Sequence, residues 1–426
     1  MIEFFSRRKF LDRLIIAASI VTLAVLFSAM TIRTSFQIGR LSSAPGYDDV
    51  VYFLSATRLL EAFHQTGLTG FAEELRHHGL HSPFSSLLAL AAFASFGYQD
   101  WAPYAFDSLI IIAYLAILAY FFRGLPLSSR IVMLIPYLAL PFATLAVVEF
   151  RPDLCWAVVI GFCAVHAITC RDYFSAWRSP ILHGLLFGLA LLIKPSTFAI
   201  TLVVFGYSAV SASAIQCMES RANLTIKTIL SHIGAAIGLA LILATPYWIP
   251  YWAKTWHYFW ANSFGKNREI WETPGDFWHQ ANFYFSGPGA QNNLGYPGLV
   301  IVALSVAASF MPAIRSDRIL RARTLALWGV VALSYAINSL AGMKSPFLAG
   351  ALYGTLIISS AFLLNQAAMI WLASKARSSA ALPVVTAILA VTAFSLYHWP
   401  DYSAGWHSEF GANHKRVQYE TERILE

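Results

Sequence analysis

The feature that most limits what this chain can fold into is a succession of apolar runs, each close to the length of a bilayer span, separated by short polar gaps. The first, Leu14–Thr31, carries no charge and follows Arg7, Arg8, Lys9 and Arg13. About 20 apolar residues cross the hydrocarbon layer as a helix. Composition agrees: of 426 residues, 58% are hydrophobic and only 12% charged, against about 25% charged in soluble domains. A soluble globular enzyme is excluded, and the chain reads as an all-α polytopic integral membrane protein.

The net charge of +7 comes from basic residues scattered in short gaps, with no stripe or arm. These are orientation charges of the positive-inside kind, and no nucleic-acid partner is expected. The four cysteines show neither a CxxC pair nor a metal spacing and read as packing residues. The N-terminal run lacks a clean cleavage site and reads as an uncleaved first helix with a cytoplasmic N-terminus.

Arg123/Arg130, Arg171/Arg178, Arg221/Lys227, Arg315–Arg323 and Lys375/Arg377 mark five gaps. If all are cytoplasmic, eleven spans fall near 14–33, 103–122, 131–149, 153–170, 181–194, 196–215, 228–247, 295–313, 324–342, 346–365 and 380–397. Residues 1–400 then form one transmembrane domain, followed by a short extracytoplasmic tail, 401–426. Two long outer segments result, at about 34–101 and 248–294, with His81–Gly97 a juxtamembrane or re-entrant helix inside the first. The run Tyr247–Trp260 holds seven Trp and Tyr residues, as an interfacial belt or a wall for a long lipid would.

Ionisable residues at membrane depth are costly and mark function by default. In this topology Asp48, Asp49, His77, His78, His81, Glu149, Arg151, Asp153, Lys194 and Lys344 come from separate stretches yet share one face. Two acids facing isolated cations suit chemistry on a phosphate-bearing substrate. The same residues also fit plainer roles: a solvated turn or helix cap for the acids, a structural pair for Arg151 and Asp153, a snorkelling side chain for Lys194.

The order of short motifs resembles the GT-C membrane glycosyltransferases, which include the protein O-mannosyltransferases and the bacterial enzymes that place aminoarabinose on lipid A. Asp48-Asp49-Val50-Val51-Tyr52 looks like their D-[DE]-x-x-Y motif just after the first helix. His81-Ser82-Pro83-Phe84, leading to Phe96-Gly97, is similar to their H-P-P-L helix. Arg151-Pro152-Asp153 resembles R-x-D, Leu192-Ile193-Lys194-Pro195 resembles L-x-K-[GP], and Met343-Lys344-Ser345-Pro346 resembles the S-K-x-P segment. Asp49 stands where Glu is commoner, Ser82 where the first Pro would be, and Phe347 where a Tyr is usual.

The resemblance implies a GT-C-like bundle and an inverting transfer of sugar from a polyprenyl-phosphate donor to an acceptor hydroxyl. The acceptor could be a glycan, a lipid or a protein, and the work is done on the extracytoplasmic face of a bacterial inner (plasma) membrane among membrane lipid. Asp48 would be the general base, with Lys194, Arg151 and Lys344 around the donor phosphate and His81, Tyr52 and Asp153 nearby. Some relatives use a divalent ion and others do not, so Asp49 is either a neighbour of the base or a ligand of Mg or Mn. The competing class is a lipid-linked oligosaccharide flippase or a non-catalytic scaffold. A transporter would show paired broken helices or charges near the midplane, whereas these charges gather at one face.

Overall fold

The computed structural model describes residues 2–37, 48–78, 83–148, 150–174, 176–219, 225–267 and 272–373. His81, Glu149, the 380–397 run and the 401–426 tail lie outside the described residues, as do the side chains of Asp48, His77 and His78.

Every regular element among the described residues is helical. The order is α1 (Ile2–Gln37), α2 (Asp48–His78), α3 (Pro83–Phe96), α4 (Ala102–Phe106), α5 (Ser108–Phe121), α6 (Leu127–Val132), α7 (Ile135–Leu138) and α8 (Pro141–Val148). Then come α9 (Pro152–Thr169), α10 (Arg178–Ile193), α11 (Phe198–Glu219), α12 (Ile226–Ser263), α13 (Phe277–Phe285) and α14 (Pro288–Asn293). The chain continues with α15 (Gly295–Ser309), α16 (Pro312–Ser316), α17 (Arg318–Leu340) and α18 (Gly350–Ala373).

Seven of the described helices are long and apolar enough to cross a membrane, those beginning at Phe10, Ala102, Pro152, Pro195, Ile226, Arg318 and Pro346. They coincide with seven of the eleven expected spans. Two more expected spans, 181–194 and 295–313, appear as the shorter apolar helices Arg178–Ile193 and Gly295–Ser309. The run expected at 131–149 is instead the succession α6, α7 and α8. Its cause is visible in the sequence: Pro136 and Pro141 each lack the N–H that a continuing helix needs and disfavour helix in the residue before them. In the opposite sense, α12 runs on past 247 to Ser263, through Pro246 and Pro250.

The centre of the molecule is α9, buried along nearly its whole length, with the first half of α18 against it. A helix that is apolar all round belongs inside. Small residues set the close approach. A Cβ on Gly161 would sit 2.5 Å from the Gly354 carbonyl oxygen, and one on Gly354 would strike that of Ala157. The pairing of α10 with α12 repeats the device, Gly184 lying against Ala236 and Gly188 against Ala240. Small residues at helix crossings let backbones approach and gain dispersion contact where lipid offers no hydrophobic drive.

Candidate active site

The site is built where the start of α9, the end of α10, the start of α18 and the first turns of α2 meet. In α2, Asp48 opens the helix and Asp49 is fully buried. The Asp49 Oδ2 accepts a hydrogen bond of 2.7 Å from the Tyr104 hydroxyl in α4. Tyr104 thereby ties Asp49 into the fold.

Three residues on, Tyr52 meets Phe150 edge-on at 6.3 Å. Phe53 packs between Phe93 at 5.6 Å and Phe150 at 5.3 Å. This aromatic cluster fixes α2 against α3, α4 and the residue just before Arg151. The D-D-x-x-Y and R-P-D segments, a hundred positions apart in sequence, are thus held together.

Arg151 sits at the N-cap of α9 with its guanidinium carbon 4.2 Å over the Phe347 ring, which follows the K-S-P segment. Asp153, in the first turn of α9, forms an ion pair with Lys194 at the C-cap of α10, and both side chains are 11% exposed. An acid at a helix N-terminus and a base at a C-terminus each complement the helix dipole, so the pair is favourable in both partners. The cleft between Arg151, Asp153, Asn293 and Phe347 has a volume of about 20 Å³, room for about one water.

Lys344 is placed differently. Its ammonium donates to the carbonyls of Asn338, at 2.9 Å, Ser339, at 2.8 Å, and Ala341. These are the last carbonyls of α17, which lack helical partners. Burial lowers its pKa to about 8, and the nearby Glu272 carboxylate pulls it part of the way back up. All three ammonium protons are engaged within the protein, whereas Arg151 and Lys194 gather at the cleft through Phe347 and Asp153.

Beside the cleft lies a cavity of about 670 Å³, shared by Tyr52 of the first motif and Leu192 of the L-I-K-P segment. Its floor is aliphatic, from Leu189 and Leu192 of α10 and Leu243 of α12. The other side is lined by α2, which is kinked at Gly67, a residue at φ +66°, where glycine is favoured.

Two buried residues beside the first motif escape the motif reading. Tyr104 is one. The other is Asp107, in the break between α4 and α5, 2% exposed, close enough to feel the charge of Asp49. Its Oδ2 has no hydrogen-bond partner in the structure. The signal was an acid inside the otherwise uncharged run 102–122. No group of three His, Cys, Asp or Glu side chains that could hold a metal occurs among the described residues, and Tyr104 already occupies one oxygen of Asp49.

No family model matches this chain, and no curated protein matches it. Among solved structures, its fold is similar to that of ArnT from Cupriavidus metallidurans, crystallised with undecaprenyl phosphate bound. The TM-score is 0.52 at 16% sequence identity, over 81% of this chain and 60% of ArnT. The chain thus spans about 60% of ArnT's length and is an integral membrane protein with an ArnT-like fold.

Proposed function

We propose that this protein is a GT-C-type glycosyltransferase that moves a sugar from a polyprenyl-phosphate donor to an acceptor hydroxyl at the extracytoplasmic face. The observation that carries the reading is the meeting of four motif segments at one place, with a small cleft at Arg151 and Asp153 and a lipid-sized cavity at Tyr52 and Leu192. The likeness to a protein crystallised with undecaprenyl phosphate supports the donor class.

In this reading Asp48 takes the proton from the acceptor hydroxyl. The acceptor oxygen forms a bond to the anomeric carbon as the bond from that carbon to the phosphate oxygen breaks, which inverts configuration. The electron pair leaves with the polyprenyl phosphate, whose charge is met by Lys194, released from Asp153, and by Arg151. Fixed cations aimed at a developing anion are worth most in a site that excludes water. Asp49, held by Tyr104, positions the start of α2, and Lys344 secures the end of α17 beside Phe347. No step is derived through a metal.

General-base assistance contributes about 10²–10⁴-fold. Asp48→Asn is expected to lower turnover by that factor while undecaprenyl-phosphate binding stays within about twofold of wild type. Sugar transfer by purified Asp48→Asn protein at a near-normal rate would remove the assignment.

A further inference from the structure

Resting on that reading, we infer that the small cleft at Arg151 is a slot for one hydroxyl of the donor sugar, the hydroxyl on C2 next to the anomeric carbon, and that Asn293 selects it. Asn293 belongs to none of the sequence motifs, yet it lines the cleft together with Arg151, Asp153 and Phe347. It lies at the end of α14 and is 3% exposed.

The hydrogen bonds of Asn293 fix what it can offer. Its side-chain nitrogen donates to the carbonyl of Gly289 at 2.8 Å and to that of Pro346 at 3.2 Å. Both partners accept only, so the amide cannot be turned round. With its N–H groups spent, the side-chain oxygen is what remains for the cleft, and it has no partner among the described residues. Asp153 is left in a similar state: one carboxylate oxygen takes Lys194, and the other has no partner among the described residues. Neither oxygen is fully enclosed.

An amide oxygen and a carboxylate oxygen only accept, so a group that enters between them must donate. The volume of about 20 Å³ admits a group the size of one water, which a hydroxyl is and an acylated amine is not. The remaining walls include Phe142, Leu145 and Leu154 and offer nothing to a larger polar substituent. Nor are the walls loose. Asn293 holds Pro346, and the Tyr284 hydroxyl of α13 donates to the Ser345 carbonyl at 3.3 Å, so α13 and α14 are tied to the segment that carries Phe347. A sugar hydroxyl that replaces a water here reproduces its hydrogen bonds, whereas a sugar lacking that hydroxyl leaves the buried acceptors unpaired. The position on the sugar follows from Arg151. The proposed mechanism gives Arg151 to the donor phosphate, and the substituent nearest that phosphate is the one on the neighbouring ring carbon, C2.

The test uses purified full-length protein in neutral detergent and five probes. These are undecaprenyl phosphate, its glucosyl and mannosyl forms, the 2-deoxyglucosyl form that is the C2-deoxy counterpart of both, and the N-acetylglucosaminyl form. Wild type is expected to bind the better of the glucosyl and mannosyl forms at least about tenfold more tightly than the 2-deoxy and N-acetyl forms, as for a lost hydrogen bond to a charged group. Asn293→Ala should collapse the preference over the 2-deoxy form and leave undecaprenyl-phosphate affinity within about twofold. Leu145→Ala, which widens the slot on its apolar side and keeps Asn293, should admit the N-acetyl form and retain the preference over the 2-deoxy form. Should Asn293→Ala fail to fold, the wild-type ratios and Leu145→Ala decide. Binding of the 2-deoxy or the N-acetyl form by wild type as tightly as the better hydroxy sugar would mean that the slot holds only water, and would overturn the inference. Failure of wild type to bind undecaprenyl phosphate or any of its sugar forms would instead sink the glycosyltransferase reading.

Discussion

At the scale of single residues, the buried acids and bases divide into those the fold consumes and those it leaves for a ligand. Asp49 is consumed: its hydrogen bond from Tyr104 is its link to α4. Tyr104→Phe should therefore destabilise the protein by about 1.5–3 kcal/mol, as expected for a lost bond to a charged group, read as a lower melting temperature. An unchanged melting temperature would mean that another donor already holds Asp49. The sequence showed two adjacent acids and could not show which one the fold takes, because the partner lies 55 positions away. Lys344 was legible as part of a segment resembling S-K-x-P, but not as a clamp on the carbonyls of α17. Its pKa gives a sign that can be checked. It stands at about 8 in the folded protein against an ordinary 10.5, so between those values the unfolded chain holds a proton that the folded chain has released. Stability should then rise with pH across that window, the cost of the buried ammonium being fully present below about pH 8 and relieved above it. Subtracting the melting profile of Lys344→Met from that of wild type isolates the effect. A difference that stays flat from pH 7.5 to 10 would show that the ammonium is not strained by burial.

At the scale of elements, apolar run length located the spans, and proline placement decided where it failed. The α6–α8 stretch is apolar enough to cross, yet Pro136 and Pro141 cut it into short turns. Two prolines in α12 do not cut it, and there the helix carries a ladder of indoles on one face. Trp248, Trp252 and Trp256 lie 5.5 and 5.6 Å apart, and Trp260 is 6.2 Å beyond Trp256. Contacts at i, i+4 support a helix, and run length alone does not register them. Which helices pair was also invisible in run length, because the pairing is written in glycines. Gly354→Ala should lower the melting temperature sharply, since the new methyl would meet the Ala157 backbone of α9 and the two most buried helices would have to part. Gly238→Ala, in α12 with open space around it, should be neutral or stabilising by up to about 1 kcal/mol from helix propensity. Equal effects from the two changes would mean that the α9–α18 crossing is looser than its geometry.

At the scale of the whole molecule, the site and the basic residues occupy opposite ends of the same helices. The chain enters α9 at Arg151 and leaves it toward Arg171; it enters α10 at Arg178 and reaches the site at Lys194. It climbs α12 from Lys227 to the cavity-lining Tyr247 and Tyr251, and α17 from Arg318 to the carbonyls that hold Lys344. The charge alternation legible in the sequence and the convergence of motifs visible only in the fold therefore describe one polarity. Positive loops tend to stay in the cytoplasm because moving them across is resisted, and this supports the proposal that the site lies outside, where a flipped lipid-linked donor would be met. A reporter fused at Asp317, between α16 and α17, should be cytoplasmic, and one at Asn267, beyond α12, should be extracytoplasmic. If Asn267 reports from the cytoplasm, the cavity beside α12 faces the side on which lipid-linked donors are loaded, and transfer at the outer surface has no site to occur in.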